Sequence, residues 1–306
     1  MSTANQTTPN PQHAIRGLEF MARQLVEGFI TGMHQSPNHG FSVEFAEHKL
    51  YNPGQSVRHI DWKVFARTDR LYTRSYEEET NLRCMLLVDQ SSSMYYPAPG
   101  AGKLRFAAES AAALAWLLHQ QRDATGLCLF DREIRLLSPA RSSRSALDKL
   151  ITSLEQTLSR PAPKLQSTGT AGILHEIAEK IPRRSLVVLF TDMFDDSEDP
   201  EAIFHGLQHL RHKKHEVLMF HVFDSHTESD FTFDNRPHKF IDLETGEVVR
   251  LQPAQVREAF IRQSKEMHER LATQCHQLRI DLVRADIHAG VQAVLQAYLI
   301  KRSKMY

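Results

Sequence analysis

The strongest constraint on this chain is a regular alternation that begins at about Leu82. Apolar runs at Cys84–Val88, Ala124–Phe130, Leu186–Thr191, Glu216–Phe223 and Ile280–Val283 take turns with helical patterns. The helical patterns lie at Lys103–Gln121, Ser142–Leu158, Gly172–Lys180, Pro200–Lys213 and Pro253–Leu278, and a last helix is expected over His288–Arg302. Near-continuous apolar strands separated by helices predict an α/β fold with a doubly wound, mostly parallel sheet, Rossmann-like, covered on both faces. Glu133–Ser138 follows its neighbour strand after only Asp131-Arg132, so it is expected to return as an antiparallel edge hairpin. Leu243-Glu244-Thr245-Gly246-Glu247-Val248 reads as the turn of a β-hairpin inserted at about residues 229–252 of a domain spanning 82–306.

The first 81 residues follow another regime. Residues 1–13 read as a disordered tail, and Ala14–Met33 carries helical apolar spacing through Leu18, Ala22, Leu25, Val26 and Phe29. From Gln35 to Glu79 the pattern breaks into short pieces, with candidate strands at Phe41–Glu47 and Leu71–Tyr76 and a turn at Asn52-Pro53-Gly54. Residues 14–81 therefore form a helix and a small β-rich companion region.

Composition excludes several classes. Lys+Arg and Asp+Glu are equal at 37 each, so no global field favours nucleic acid or an anionic membrane. The longest apolar stretch, Ala111–Leu118, is far too short to span a bilayer. Ser2–His13 lacks the basic-then-apolar order of a secretory signal, which makes the cytoplasm the expected compartment. Cys84, Cys128 and Cys275 are widely spaced, and the first two sit in strand-like runs as small buried thiols.

Chemistry concentrates where the first of these strands stops. Met85-Leu86-Leu87-Val88-Asp89-Gln90-Ser91-Ser92-Ser93-Met94 ends in Asp-x-Ser-x-Ser, which puts a carboxylate and two alternate hydroxyls in one loop at a strand's carboxyl end. Open α/β sheets bind ligands there. An all-oxygen donor set suits Mg²⁺, with Mn²⁺ or Ca²⁺ as alternatives, better than zinc. Ser167-Thr168-Gly169-Thr170 precedes a helix, and the strand Leu186–Phe190 runs into Thr191-Asp192. The plainer alternative is that Ser91 and Ser93 cap the next helix and Asp192 closes a turn.

Asp-x-Ser-x-Ser, then Gly-Thr before a helix, then a strand ending in Thr-Asp, resembles von Willebrand factor A domains, which carry this set as a metal-ion-dependent adhesion site. The resemblance covers roughly residues 82–300 and implies metal residues Asp89, Ser91, Ser93, Thr170 and Asp192. Neutral hydroxyls would bind directly while the carboxylates hold coordinating waters. Such an ion stays electrophilic, with a position open for an outside carboxylate.

The companion region carries a second resemblance. Glu44-Phe45-Ala46, Tyr51-Asn52-Pro53-Gly54, Val57-Arg58-His59-Ile60-Asp61-Trp62 and Ala66-Arg67-Thr68, with Asp242-Leu243-Glu244-Thr245-Gly246 further on, resemble the DUF58 family of bacterial proteins with a von Willebrand A-like domain. Members often have acidic residues after the turn glycine, where this chain has Gln55-Ser56. The resemblance implies partnership with a MoxR-type AAA+ ATPase in assembly or maturation of an unknown client protein, through an acidic side chain at the metal site. Within the same run, Asp61 is expected to pair with Arg58 or Arg67 and Trp62 to pack as a brace, against the alternative of a basic-aromatic partner surface.

Three other motifs are set aside. Pro97-Ala98-Pro99-Gly100-Ala101-Gly102-Lys103-Leu104 imitates a phosphate loop but lacks its first glycine and the hydroxyl after the lysine. His205, His209 and His212 share a helical face that reads as solvated. Asp195, Asp196, Glu198 and Asp199 suit the N-terminus of the helix beginning near Pro200. No nucleophile elbow surrounds Ser91 or Ser93, and two carboxylates are few for a two-metal hydrolase. An interaction module is therefore expected rather than an enzyme. A metal-dependent hydrolase and a metal-free scaffold are the alternatives.

Overall fold

The computed structural model describes residues 11–34, 48–50, 67, 72–74, 82–97, 102–161, 170–193, 200–243 and 246–303. The chain divides into two compact units, Met1–Phe29 with Leu82–Tyr306, and Ile30–Asn81. In the smaller unit, β1 (His48–Leu50) pairs antiparallel with β2 (Tyr72–Arg74), His48 opposite Arg74. β2 falls inside the expected Leu71–Tyr76 strand. Phe41–Glu47, the turn at Asn52-Pro53-Gly54, and Arg58, Asp61, Trp62 and Thr68 lie outside the described residues, while Arg67 is exposed.

The N-terminal helix departs from the sequence boundaries. α1 covers Pro11–His34, so it begins inside the segment expected as a tail, and its stretch up to Phe29 belongs to the larger unit instead of the companion region. The reason is its apolar stripe. Leu18, Ala22 and Val26, one turn apart, are all buried. The Leu18 N–H also donates to Glu155 Oε1 at 3.3 Å, and Glu19 pairs with Arg144.

The larger unit is built on β3 (Arg83–Asp89), α2 (Gly102–Gln120), β4 (Ala124–Phe130), β5 (Ile134–Leu137), α3 (Arg144–Leu158) and α4 (Thr170–Lys180). It continues with β6 (Leu186–Thr191), α5 (Pro200–His212), β7 (Glu216–Phe223), β8 (His238–Ile241), β9 (Val248–Leu251), α6 (Pro253–Gln277), β10 (Asp281–Asp286) and α7 (Gln292–Ser303). The main sheet has six strands in the order β10-β7-β6-β3-β4-β5. All neighbours are parallel except β5, which returns antiparallel to β4 at the edge, as its three-residue connection requires. Numbered along the chain, the six strands run 3-2-1-4-5-6, the doubly wound Rossmann-like order.

Both faces of the sheet are dry. Met85, Leu87, Cys128, Phe130, Val187, Leu189, Val217 and Met219 join one core with residues of α4, α5 and α6. Their alternates Leu86, Val88, Leu127, Leu129, Val188, Phe190, Leu218 and Phe220 are equally buried, and Phe190 stacks on Phe220 at 5.0 Å between ring centres. α2 contacts β3, β4 and β7 and packs against α3 and α7. Its Ala107, Ala108, Ala111, Ala112, Ala113 and Ala115 are fully buried, so small side chains bring its backbone close while favouring the helix. The sequence alternation is thus a direct image of this three-layer core.

The first turn of α2 needs a glycine. Gly102 has φ +42°, and a Cβ there would lie 2.0 Å from the Tyr96 carbonyl oxygen, which accepts the Lys103 N–H at 2.8 Å. The inserted hairpin is present, with Ile241 of β8 opposite Val248 of β9. It is pinned by Phe231, Phe233, Phe240 and Phe260, with Phe231 4.5 Å from Phe260 of α6. Among the described residues no helix is long and apolar enough to cross a membrane. All three cysteines are free and buried.

Candidate metal centre

Four adjacent parallel strands finish on a carboxylate. β3 ends at Asp89 and β10 at Asp286, while Asp192 and Asp224 follow directly on β6 and β7. Strand order reverses between β3 and β6, and connections leaving this switch point diverge to opposite faces and open a crevice. Asp89 and Asp192 occupy it.

The loop after β3 is tied down at its start. The Gln90 N–H donates to the Phe130 carbonyl on β4 at 2.7 Å, and the Gln90 side-chain amide donates to Thr157 Oγ1 at 3.4 Å. Asp89, 3% exposed, accepts the Ser91 N–H on Oδ1 at 2.8 Å and the Thr191 hydroxyl on Oδ2 at 2.7 Å. Buried Ser91 and Ser93 place their hydroxyl oxygens 3.0 Å apart. Ser91 stands at the cap position of a 3₁₀ turn, Ser92–Tyr95, yet its side chain makes no capping bond. The hydroxyl is therefore directed to the cluster, against the capping alternative. Thr170 is the first residue of α4, with its side chain outside the described residues.

Asp192 is fully buried, and beside it the Thr191 hydroxyl oxygen accepts the Met193 N–H at 3.1 Å. The Asp192 carboxylate lies 2.8 Å from the Lys103 ammonium. Lys103 also reaches Glu228 Oε1 at 2.6 Å, and Glu228 Oε2 accepts the Asp224 N–H at 2.8 Å. Behind Asp192, His221 Nε2 sits 2.8 Å from the Asp192 carbonyl oxygen, and His221 Nδ1 sits 3.1 Å from His268 Nε2. Burial holds the His221 imidazole neutral, its pKa lowered to about 3.

Acidic groups crowd one another here. Burial, and then the nearby Asp192 charge, push the Asp89 carboxyl up to about 7. Among the described residues, three buried or half-buried carboxylates, Asp89, Asp192 and Glu228, gather around the Lys103 ammonium, which pairs with Asp192 and Glu228. Oxygen donors from Asp89, Ser91 and Ser93 are grouped and pre-oriented in this cluster. This donor chemistry fits a hard divalent cation.

A family model described as "Protein of unknown function DUF58" matches residues 47–270. The chain belongs to this family. The DUF58 chain is 26% identical over 216 residues to the uncharacterized protein Rv1480 of Mycobacterium tuberculosis, covering 71% of this chain and 66% of that relative's length. Among solved structures it is similar to the conserved hypothetical protein BatB from Bacteroides thetaiotaomicron, at 15% identity and a TM-score of 0.43, over 73% of this chain and 99% of BatB. It is also similar to an aerotolerance-related membrane protein from Bacteroides fragilis, at 17% identity and a TM-score of 0.42, over 71% of this chain and 98% of that one.

Several residues around the candidate site of this DUF58 chain escape a linear reading. Lys103 belonged to the imitation phosphate loop and is instead the buried cation of the site. Thr191 orients Asp89, and its position directly before Asp192 is the one signal that pointed to it. Glu228, His221 and His268 carry no local motif. The helical histidines sort differently from one another: His209 lies 2.8 Å from His175 and 3.0 Å from Glu179, all on an exposed face. Asp195, Asp196, Glu198 and Asp199 are outside the described residues.

Proposed function

We propose that this chain is a von Willebrand A-like interaction module whose switch-point crevice holds a divalent cation, Mg²⁺ first, through Asp89, Ser91, Ser93, Thr170 and Asp192. The bound ion would present an open position to an acidic side chain of a partner. On this reading the partner is a MoxR-type AAA+ ATPase, and the two act in the cytoplasm to assemble or mature a client protein. The observation that supports the reading is the crowding of buried acids: burial and then Asp192 push the Asp89 carboxyl up to about 7, while its oxygens are already aimed by Ser91 and Thr191. A buried carboxylate either keeps its proton or gains a partner charge, and a divalent ion supplies that charge.

Thermal unfolding of the intact protein tests this. Mg²⁺ or Mn²⁺ is expected to raise the midpoint in the wild type and to leave Asp89→Ala unmoved; equal shifts in both overturn the metal reading. Docking is read separately. Ser91→Ala with Ser93→Ala is expected to weaken capture of the purified ATPase, and unchanged capture overturns the partner assignment.

One observation favours a metal-free scaffold as the second reading. Lys103 already neutralises Asp192 at 2.8 Å, so the crevice holds an internal cation of its own. Absence of any Mg²⁺ or Mn²⁺ shift in the wild type would select it.

A further inference from the structure

We propose that Asp224, His226 and His288 form a second metal site, for a borderline transition-metal dication such as Zn²⁺, Co²⁺ or Ni²⁺. It lies on the β7–β10 side of the sheet's C-terminal edge. Asp224 follows β7, His226 comes two residues later in a π turn at Ser225–Ser229, and His288 sits in the loop after β10. One ligand atom from each residue falls within 4.8 Å of the other two. His288 Nε2 is 2.9 Å from Asp224 Oδ1, and the two imidazoles stack with centres 4.1 Å apart. Two imidazoles with one carboxylate are the donors of a three-ligand zinc-type site, in contrast with the oxygen set around Asp89.

The ligands are held by neighbours that would survive metal binding. The Asp224 carboxylate is oriented by the His226 N–H on Oδ1 at 3.0 Å and by the Thr227 hydroxyl on Oδ2 at 2.9 Å. Asp286 fixes the opposite wall, accepting the N–H of His288 at 3.1 Å and of Ser225 at 3.3 Å on Oδ1. Supports of this kind keep metal ligands in place. Asp224 is buried at 3% exposure while both histidines are exposed, so an ion has a path in and room for water or an outside ligand. Capping of the π turn accounts for the Asp224–His226 contact alone. It does not account for His288, brought in from the next strand onto the same oxygen.

The test uses the intact protein, freed of metal by chelation, with Co²⁺ absorption and Zn²⁺ titration as readouts. One Co²⁺ is expected to give a visible band that Zn²⁺ displaces. Zn²⁺ affinity is expected to fall at least about 10-fold in His288→Ala and in His226→Ala. It is expected to hold in His209→Ala, which removes the other exposed histidine cluster, and in Asp89→Ala, which separates this site from the Mg²⁺ site. The substituted histidines are exposed, and unchanged unfolding midpoints in chelator check that the variants fold. Zn²⁺ affinity unchanged in both His226→Ala and His288→Ala, or lost in His209→Ala instead, overturns the proposal.

Discussion

Lys103 Nζ sits 2.8 Å from Asp192 Oδ2, with each side chain only 1% exposed. Removing one partner of a buried ion pair leaves an uncompensated charge, which costs far more than the pair contributes. Lys103→Met is therefore expected to destabilise the protein by about 3–5 kcal/mol in urea unfolding. Adding Asp192→Asn is expected to recover part of that loss; a double variant as unstable as the sum of the two single ones would contradict the pairing.

Gly102 makes the approach of Lys103 possible. Gly102→Ala would place a methyl against the Tyr96 carbonyl in a left-handed backbone conformation. A loss of about 1–3 kcal/mol is expected from the strain, measured by thermal or urea unfolding. A neutral outcome would mean that α2 does not start in this geometry.

Glu155 provides a pH dependence. Its Oε1 accepts the Leu18 N–H, while its Oε2 is buried without a hydrogen-bond partner among the described residues, and burial raises its pKa to about 7. The folded value exceeds the unfolded one of 4.5, so its contribution is fully present below pH 4.5 and is lost as pH rises through about 7. Glu155→Gln keeps an acceptor for Leu18 without the charge. Its stability gain over wild type is expected to grow from pH 4.5 to about 7 and then level off; a gain independent of pH would refute the assignment.

His215 works in the opposite direction. It is fully buried, its Nδ1 accepts the Ser185 N–H at 3.2 Å, and burial lowers its pKa below the ordinary 6.5. The unfolded chain then binds the proton first, so this stability is present above pH 6.5 and is lost as pH falls below it. His215→Asn retains an acceptor and is expected to flatten the stability profile on the acid side of pH 6.5, even if it starts lower. Parallel profiles for the two proteins would show that His215 does not titrate with unfolding.

Local patterning carried most of the fold. Ala124–Phe130, Leu186–Thr191 and Glu216–Phe223 are strands with the boundaries that their apolar runs imply, because a strand buried on both faces is apolar over most of its length. The last strand was harder to read. The expected run Ile280–Val283 begins before the observed strand Asp281–Asp286 and stops short of its end, because Arg284 and Asp286 sit at the sheet edge where charge is tolerated. The final helix starts at Gln292 rather than His288, and the three residues between are what free His288 to reach Asp224.

Asp-x-Ser-x-Ser, Thr191-Asp192 and the strand–helix alternation stand in the amino-acid order itself, because periodicity and strand-end chemistry act over a few residues. The partners of those groups do not. Thr191 meets Asp89 across 102 positions and Lys103 meets Glu228 across 125, and only the order of strands in the sheet brings them together. The sequence by itself determined that a carboxylate would sit at the end of a central strand. Tertiary structure decided its charge state, since burial and the neighbouring Asp192, absent in any local segment, set what Asp89 holds at neutral pH.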